Sequence, residues 1–288
     1  MKNVVKIALI QEACVENVEQ NIKTALAKVR EAAAAGAKII CLQELFNTLY
    51  IGQDVEVSYY DYAEVLPGKT SDLFGELSKE LGVVTIVPMY EYVKDGIYFN
   101  SVVVYDADGS YLGKYRKNHI PDGPQYLEKY YFTPGNTGYN IFETKFGKIA
   151  IGICWDEWFP EVARIFALQG AQLIFYPSAI GSEPDRPDIS TAAAWEKVIS
   201  SHGICNSVYI AAVNRVGTEK GKNSEMTFYG NSFVSNPYGD ILSKGAHHAE
   251  IVYADVDFAI CKEASDLLQF HRDRRVDTYK PLLKRVIE

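Results

Sequence analysis

The chain has no long apolar run. Nowhere does it approach the roughly 18 consecutive apolar residues that a membrane helix needs, so no membrane partner is expected. The first apolar run, Val4 to Ile10, soon meets Gln11-Glu12 and carries no A-x-A cleavage pattern. It reads as a buried strand rather than a secretory signal. Cysteine is sparse: Cys14, Cys41, Cys154, Cys205 and Cys261 are an odd number at wide spacings, with no CxxC. That pattern excludes a disulfide framework and a zinc site, and it predicts reduced thiols and a cytoplasmic location. Basic charge is also short, with 29 Lys and Arg against 37 Asp and Glu and a net charge of −8. No basic stripe stands out, so nucleic acid is not an expected partner. Neither G-x-G-x-x-G nor G-x-x-x-x-G-K-[ST] follows a strand, which argues against a nucleotide-binding α/β protein.

What is present is a packed globular composition, 48% hydrophobic and 23% charged over 288 residues. No linker or low-complexity segment interrupts it, so a single domain over residues 1–288 is expected. Helical periodicity is read over Asn17–Ala35 (ending at Gly36), Thr70–Leu81, Pro160–Gln169 and Ile189–Ser201. Buried strands are read at Val4–Ile10, Lys38–Gln43, Val83–Pro88, Leu173–Tyr176, Val208–Val213 and Ile251–Val256. Hairpins are read over Phe99–Arg116, Tyr139–Ile153 and Phe228–Lys244, each around a turn-forming cluster. Residues 32–44 (AAAAGAKIICLQE) echo residues 167–178 (ALQGAQLIFYPS). Two such halves predict a four-layer α-β-β-α sandwich with two packed mixed sheets, although any αβ unit can produce a short echo.

Three reactive side chains follow strands. Cys154 ends the strand Lys148–Ile153 and precedes a helix, a turn where backbone N–H groups can face an oxyanion and a helix N-terminus favours a thiolate. Glu44 closes a buried strand, where a carboxylate can serve as general base. Lys117 follows the strand Tyr111–Arg116, and an ammonium there would stabilise a thiolate or a tetrahedral oxyanion. Taken singly, each has an ordinary alternative: a buried small thiol, a salt-bridge glutamate, a solvated lysine.

Together they resemble the nitrilase superfamily of carbon–nitrogen hydrolases. The resemblance rests on Glu44 in LQELF, Lys117 in YRKNHIP and Cys154 in GICWDEWFPEVAR. It continues through PGNTG (134–138), YPSAIG (176–181) and AAVNRVG (211–217). It implies a Glu-Lys-Cys triad in which Glu44 takes the thiol proton, Cys154 attacks an amide or ureido carbonyl, and Lys117 with the Trp155 N–H holds the oxyanion. It further implies Glu128 in a supporting role, no cofactor and no metal, and a homo-oligomer whose tail from about residue 266, including Arg272–Arg275, lies in subunit contacts.

Within that family CWDEWFPE and the tail FHRDRRVDTY resemble the N-carbamoylputrescine amidases, which commonly have Gln where this chain has Glu157 and Pro where it has Val276. The substrate so implied is a small cationic ureido compound. An ammonium needs a carboxylate and aromatic walls. Glu183 is the expected carboxylate in the loop that also holds Asp185, with Tyr50, Tyr126 and Trp155 as walls. An N-carbamoyl amino acid or another ω-amide is the alternative substrate, and nearby Arg186 would suit a carboxylate. A non-catalytic member that binds a metabolite or partner is the rival of another class, disfavoured by the intact triad.

Overall fold

The apolar runs of the sequence form the middles of two sheets in the computed structural model, which describes residues 4–183, 186 and 188–287. The first sheet has the order β14 (Glu250–Asp257), β1 (Val4–Gln11), β2 (Ile39–Leu42), β3 (Val84–Lys94), β4 (Ile97–Tyr105), β5 (Tyr111–Arg116). The second has the order β13 (Ile241–Lys244), β12 (Phe233–Ser235), β9 (Tyr209–Val213), β8 (Leu173–Pro177), β7 (Gly147–Ile151), β6 (Ile141–Thr144). In each, three central strands are parallel: Ile7 pairs with Ile39 and Ile39 with Val84, while Ile149 pairs with Leu173 and Leu173 with Tyr209. Parallel strands covered on both faces need apolar residues at nearly every position, and these runs have them.

The period-two alternation of β1 sorts its side chains between two cores. Val5, Ile7 and Leu9 face inward and share a core with Ile149, Ile151, Leu173 and Phe175 of the second sheet. Ala8 and Ile10 face outward and pack under α1 (Val18–Ala34) and α2 (Lys69–Leu81), against Ala25, Val29, Phe74 and Leu77. On the far side, α3 (Pro160–Leu168) and α4 (Ala192–Asn206) cover the second sheet through Val162, Phe166, Trp195 and Ile199. The result is the α-β-β-α sandwich. The echo in the sequence falls on β2 and β8, the central parallel strand of each sheet. Asn17 Oδ1 accepts from Gln20 N at 2.9 Å to cap α1. Just beyond the far end of α1, Gly36 takes φ 94°, a conformation that suits glycine.

At four places the structure departs from the sequence pattern. The strand read as ending at Pro88 continues as β3 to Lys94 and folds back through Asp95-Gly96 onto β4. Proline is tolerated there because β2 pairs with β3 only as far as Ile86, so on that side Pro88 has no ladder bond to donate. The strand read over Phe228–Ser235 is broken by positive φ at Gly230 (62°) and Asn231 (57°). Its first part, β11 (Glu225–Tyr229), instead pairs with β10 (Val216–Lys220) in a separate ribbon. The helix read from Ile189 begins at Ala192 and runs on to Asn206. Residues 259–265, for which no element was read, form α5 (Ala259–Leu268) together with the first residues of the tail. Among the described residues no helix is long and apolar enough to cross a membrane.

Phe166 is fully buried, edge-on to Tyr115 and Tyr139 with ring centroids at 6.0 and 5.6 Å. Phe166→Ala should cost about 3–5 kcal/mol, read as a lower urea midpoint at unchanged m-value. A loss within error of zero would mean that this contact does not anchor α3.

Candidate active site

The C-terminal ends of three strands bring the candidate residues together. Glu44 follows β2, Lys117 follows β5 and Cys154 follows β7, while Glu128 opens a short 3-10 turn, Glu128–Tyr130. All four side chains are buried. Lys117 Nζ donates to Glu44 Oε1 at 2.9 Å and to Glu128 Oε2 at 2.7 Å. Asn100 Nδ2 also donates to Glu44 Oε1, at 2.6 Å, which leaves Glu44 Oε2 buried without a protein partner. Tyr50 Oη donates to the other oxygen of Glu128 at 2.7 Å. Asn100 interrupts the apolar run FNSVVV, and a buried polar residue in such a run was the signal that could have marked it.

Burial and charge act against each other at every member of this cluster. Burial pulls the Lys117 ammonium down, but the Glu128 and Glu44 carboxylates outweigh it and hold the group well above the ordinary lysine value. Burial pushes Glu128 up; Lys117 opposes that rise and Glu44 adds to it. Burial also pushes the Cys154 thiol well above its ordinary range, with Glu44 adding to the rise and Lys117 opposing it. The expected thiolate-favouring effect of a helix N-terminus does not prevail. Residues Cys154–Trp158 form a single 3-10 turn, too short for a large dipole, in a dry pocket next to a carboxylate.

The turn that bears Cys154 is strained and pinned. Cys154 has φ 44°, a left-handed conformation uncommon for a side-chain-bearing residue. Asp156 fastens the turn: its Oδ2 accepts from Ile153 N at 3.0 Å and Tyr115 Oη at 2.7 Å, and its Oδ1 accepts from His119 N at 3.0 Å. The first bond of the turn runs from Asp156 N to Ile153 O, 3.0 Å. The N–H groups of Cys154 and Trp155 precede that bond and have no carbonyl within the turn. Pro160 then starts α3, a first-turn position where its missing N–H costs nothing.

A cavity of about 520 Å³ opens on Cys154. Tyr126, Trp155, Trp158 and Ile180 provide apolar walls, and Asp122, Glu183, Arg186 and Thr191 provide polar ones. Tyr126 Oη accepts from Gly181 N at 3.0 Å, tying two walls together. Glu183 Oε1 accepts from Thr191 Oγ1 at 3.1 Å. Tyr50 does not line this cavity; it stands behind Tyr126, edge to ring at 5.9 Å, and its hydroxyl goes to Glu128. Asp185 lies outside the described residues. Asp122 and Trp158 were not singled out in the sequence, although Trp158 stands within the CWDEWFPE segment. Among the described residues no group of three or more His, Cys, Asp or Glu side chains is arranged to hold a metal ion.

This architecture is found in solved relatives. The crystal structure of a carbon-nitrogen hydrolase from Helicobacter pylori G27 superposes with a TM-score of 0.93 at 36% identity, covering 99% of this chain and 100% of that one. The carbon-nitrogen hydrolase family model matches residues 6–266. The chain belongs to the carbon-nitrogen hydrolase family. Among carbon-nitrogen hydrolases it is 44% identical to the N-carbamoylputrescine amidase of Solanum lycopersicum, over 97% of this chain and 95% of that protein. It is 37% identical to a citrullinase of Francisella tularensis subsp. tularensis, over 98% and 99% respectively.

In this carbon-nitrogen hydrolase, Glu157 departs from the glutamine expected of the amidases it resembles, and its surroundings explain why the departure is tolerated. The side chain is fully buried and forms no ion pair among the described residues. Trp195 Nε1 donates to Oε1 at 2.6 Å. The Ser178 hydroxyl lies 2.7 Å from Oε2 and 3.1 Å from the Tyr176 carbonyl. A proton on Glu157 would let it donate to that hydroxyl while the hydroxyl donates to the carbonyl, as a glutamine amide could. Burial accordingly pushes its pKa well above the ordinary carboxyl value. Between the unfolded and folded pKa values the native state holds a proton that the unfolded state has released, so stability falls as pH rises through that window. Below the unfolded value both states are protonated and nothing is lost. Glu157→Gln should therefore raise Tm at pH 8 and leave it nearly unchanged at pH 4. Within the window, each pH step of one costs about 1.4 kcal/mol of stability. An equal gain at both pH values would show that the effect is not ionisation.

Proposed function

We propose that the chain hydrolyses N-carbamoylputrescine to putrescine, carbon dioxide and ammonia, in polyamine synthesis. The observation that carries this reading is that the cavity opening on Cys154 also holds the Glu183 carboxylate among the aromatic faces of Tyr126, Trp155 and Trp158. A ureido group at the thiol and an ammonium at Glu183 suit the two polar features of one apolar channel. The relatives that share the reading by name add to it.

The chemistry follows from the proton positions. Cys154 is a protonated thiol at rest, so attack needs a base. Glu44 Oε2, the buried oxygen without a protein partner, is the acceptor. The sulfur then bonds to the ureido carbon, and the carbonyl oxygen becomes an oxyanion held by Lys117 and the Trp155 N–H. Collapse expels a nitrogen that leaves with the proton from Glu44. The remaining acyl group sits on Cys154 as a thioester-type intermediate. Water gives its proton to Glu44 and adds to that carbon; collapse breaks the C–S bond, Glu44 returns the proton to the sulfur, and the carbamic acid released splits into carbon dioxide and the second nitrogen product. Glu128 and Tyr50 keep Lys117 in place.

A second substrate class has one observation in its favour. Arg186 lines the same cavity and would meet the carboxylate of a ureido amino acid. Its Nε and Nη2 already donate to Asp188 at 2.9 and 2.8 Å, so such a carboxylate would compete with Asp188. A homo-oligomer is also proposed, with the tail from about residue 266 at a subunit contact. Leu267, Leu282, Leu283, Val286 and Ile287 are exposed there, an apolar surface that a neighbouring subunit would cover. Light scattering of a chain ending at Ser265 checks this; an unchanged mass removes the tail from the contact.

Ammonia release from N-carbamoylputrescine should be abolished in Cys154→Ala. It should fall by about 100- to 1000-fold in kcat in Lys117→Ala, the cost of losing one oxyanion donor. Glu183→Gln should raise KM about 10- to 100-fold with little change in kcat, since the ammonium contact is the same in ground and transition states. Higher kcat/KM for citrulline or another ureido amino acid than for N-carbamoylputrescine would overturn the substrate assignment and leave the triad roles standing.

A further inference from the structure

The motif AAVNRVG has no role in the chemistry above, yet Arg215 within it is among the most deeply buried charges in the chain. Its Nη2 donates to Glu44 O at 2.9 Å and Leu45 O at 2.8 Å. Its Nη1 donates to Thr48 O at 2.9 Å and Glu219 Oε1 at 2.6 Å. The second oxygen of Glu219 accepts from Tyr50 N at 2.6 Å. One ion pair thus binds three carbonyls and an N–H of residues 44–50. That segment turns sharply, with Leu45 at φ 50°, a conformation leucine rarely adopts unaided. Glu44 stands at one end. Tyr50, whose hydroxyl holds Glu128, stands at the other.

We infer that Arg215, paired with Glu219, is a positioning residue for the Glu44 base. It fixes the backbone of residues 44–50 so that Glu44, and Glu128 through Tyr50, stay on Lys117. This inference rests on the reading of Glu44 as the base. It differs from a simple packing role in one respect. A flat guanidinium fork reaches four acceptors at once, and a lysine ammonium, a single point of charge, does not. Charge and bulk alone should then fail to replace it.

The test uses the full-length protein as Arg215→Lys, Glu219→Gln and Glu44→Gln. Three measurements are made: kcat and KM with N-carbamoylputrescine, the pH dependence of Cys154 alkylation by iodoacetamide, and the urea midpoint. Alkylation needs no substrate and reports thiol activation by Glu44 directly. Arg215→Lys should lower kcat about 100-fold, the scale of a base displaced by about 1 Å. KM should stay within about threefold, and the acid limb of the alkylation profile should move. Glu219→Gln keeps an acceptor for Tyr50 N but removes the counter-charge, and should lower kcat about 10-fold with the same movement of the profile. A lower urea midpoint with kcat per folded molecule and the profile unchanged would overturn the inference, because that is what packing alone produces. Should Arg215→Lys fail to fold, Glu219→Gln decides by the same two readouts. An inactive Glu44→Gln beside fully active clamp variants sinks only this inference. A Glu44→Gln enzyme with wild-type kcat and profile sinks the assignment of the base as well.

Discussion

A buried ammonium between two buried carboxylates is the constraint around which the site is built. Moving a lysine out of water costs several kcal/mol unless its charge is matched. Here Glu44 and Glu128 each accept from Lys117, from opposite halves of the surrounding loops. The arrangement leaves little freedom. Lys117 stays charged because the carboxylates are there, and the carboxylates are tolerated in a dry pocket because Lys117 is there. Asn100 and Tyr50 take up one lone pair from each carboxylate, so three different strand ends and two loops must meet correctly before any of the charges is tolerated.

That mutual dependence decides the chemistry available to Cys154. A thiol held protonated by burial is inert until a base removes its proton, and the one carboxylate oxygen of the cluster without a partner belongs to Glu44. The same burial that keeps the thiol protonated leaves the field of the ammonium less screened than it would be in water. The site has its donors in place before substrate arrives. The strained φ at Cys154 and the multiple bonds accepted by Asp156 belong to that preparation.

Buried polar residues outside the triad carry much of the load. Arg215 and Glu219 hold the turn that bears Glu44, and Asp156 holds the turn that bears Cys154. Glu157, which forms no ion pair among the described residues, has its pKa pushed up by burial in the same core. Each is buried, and each bonds to at least one distant segment: Arg215 to residues 44–48, Glu219 to Tyr50, Asp156 to Tyr115 and His119, and Glu157 to Ser178 and Trp195. The rim of the cavity is different. Glu183 and Arg186 are more exposed and sit on a loop rather than a strand end.

The sequence by itself determined the architecture and the candidate reactive set. Uninterrupted apolar runs are legible because a parallel strand buried on both faces admits little else, and the helix-to-strand echo is legible because both halves solve the same packing problem. Glu44, Lys117 and Cys154 could be named because each follows a strand within a motif that resembles those of the nitrilase superfamily. Tertiary structure alone decided how they are held. Hydrogen-bond partners such as Asn100, Asp156 and Arg215 are set by which strand ends meet, and contacts between residues 44–50 and 215–219 span most of the chain. Pro88 inside a strand and the break at Gly230-Asn231 depended on where neighbouring strands stop. The protonation of Cys154 and Glu157 depended on burial, which no local pattern encodes. Tyr50 was expected to line the substrate cavity and instead stands behind it, because the direction of a side chain on a turn is fixed by the packing of its neighbours and not by its spacing in the chain.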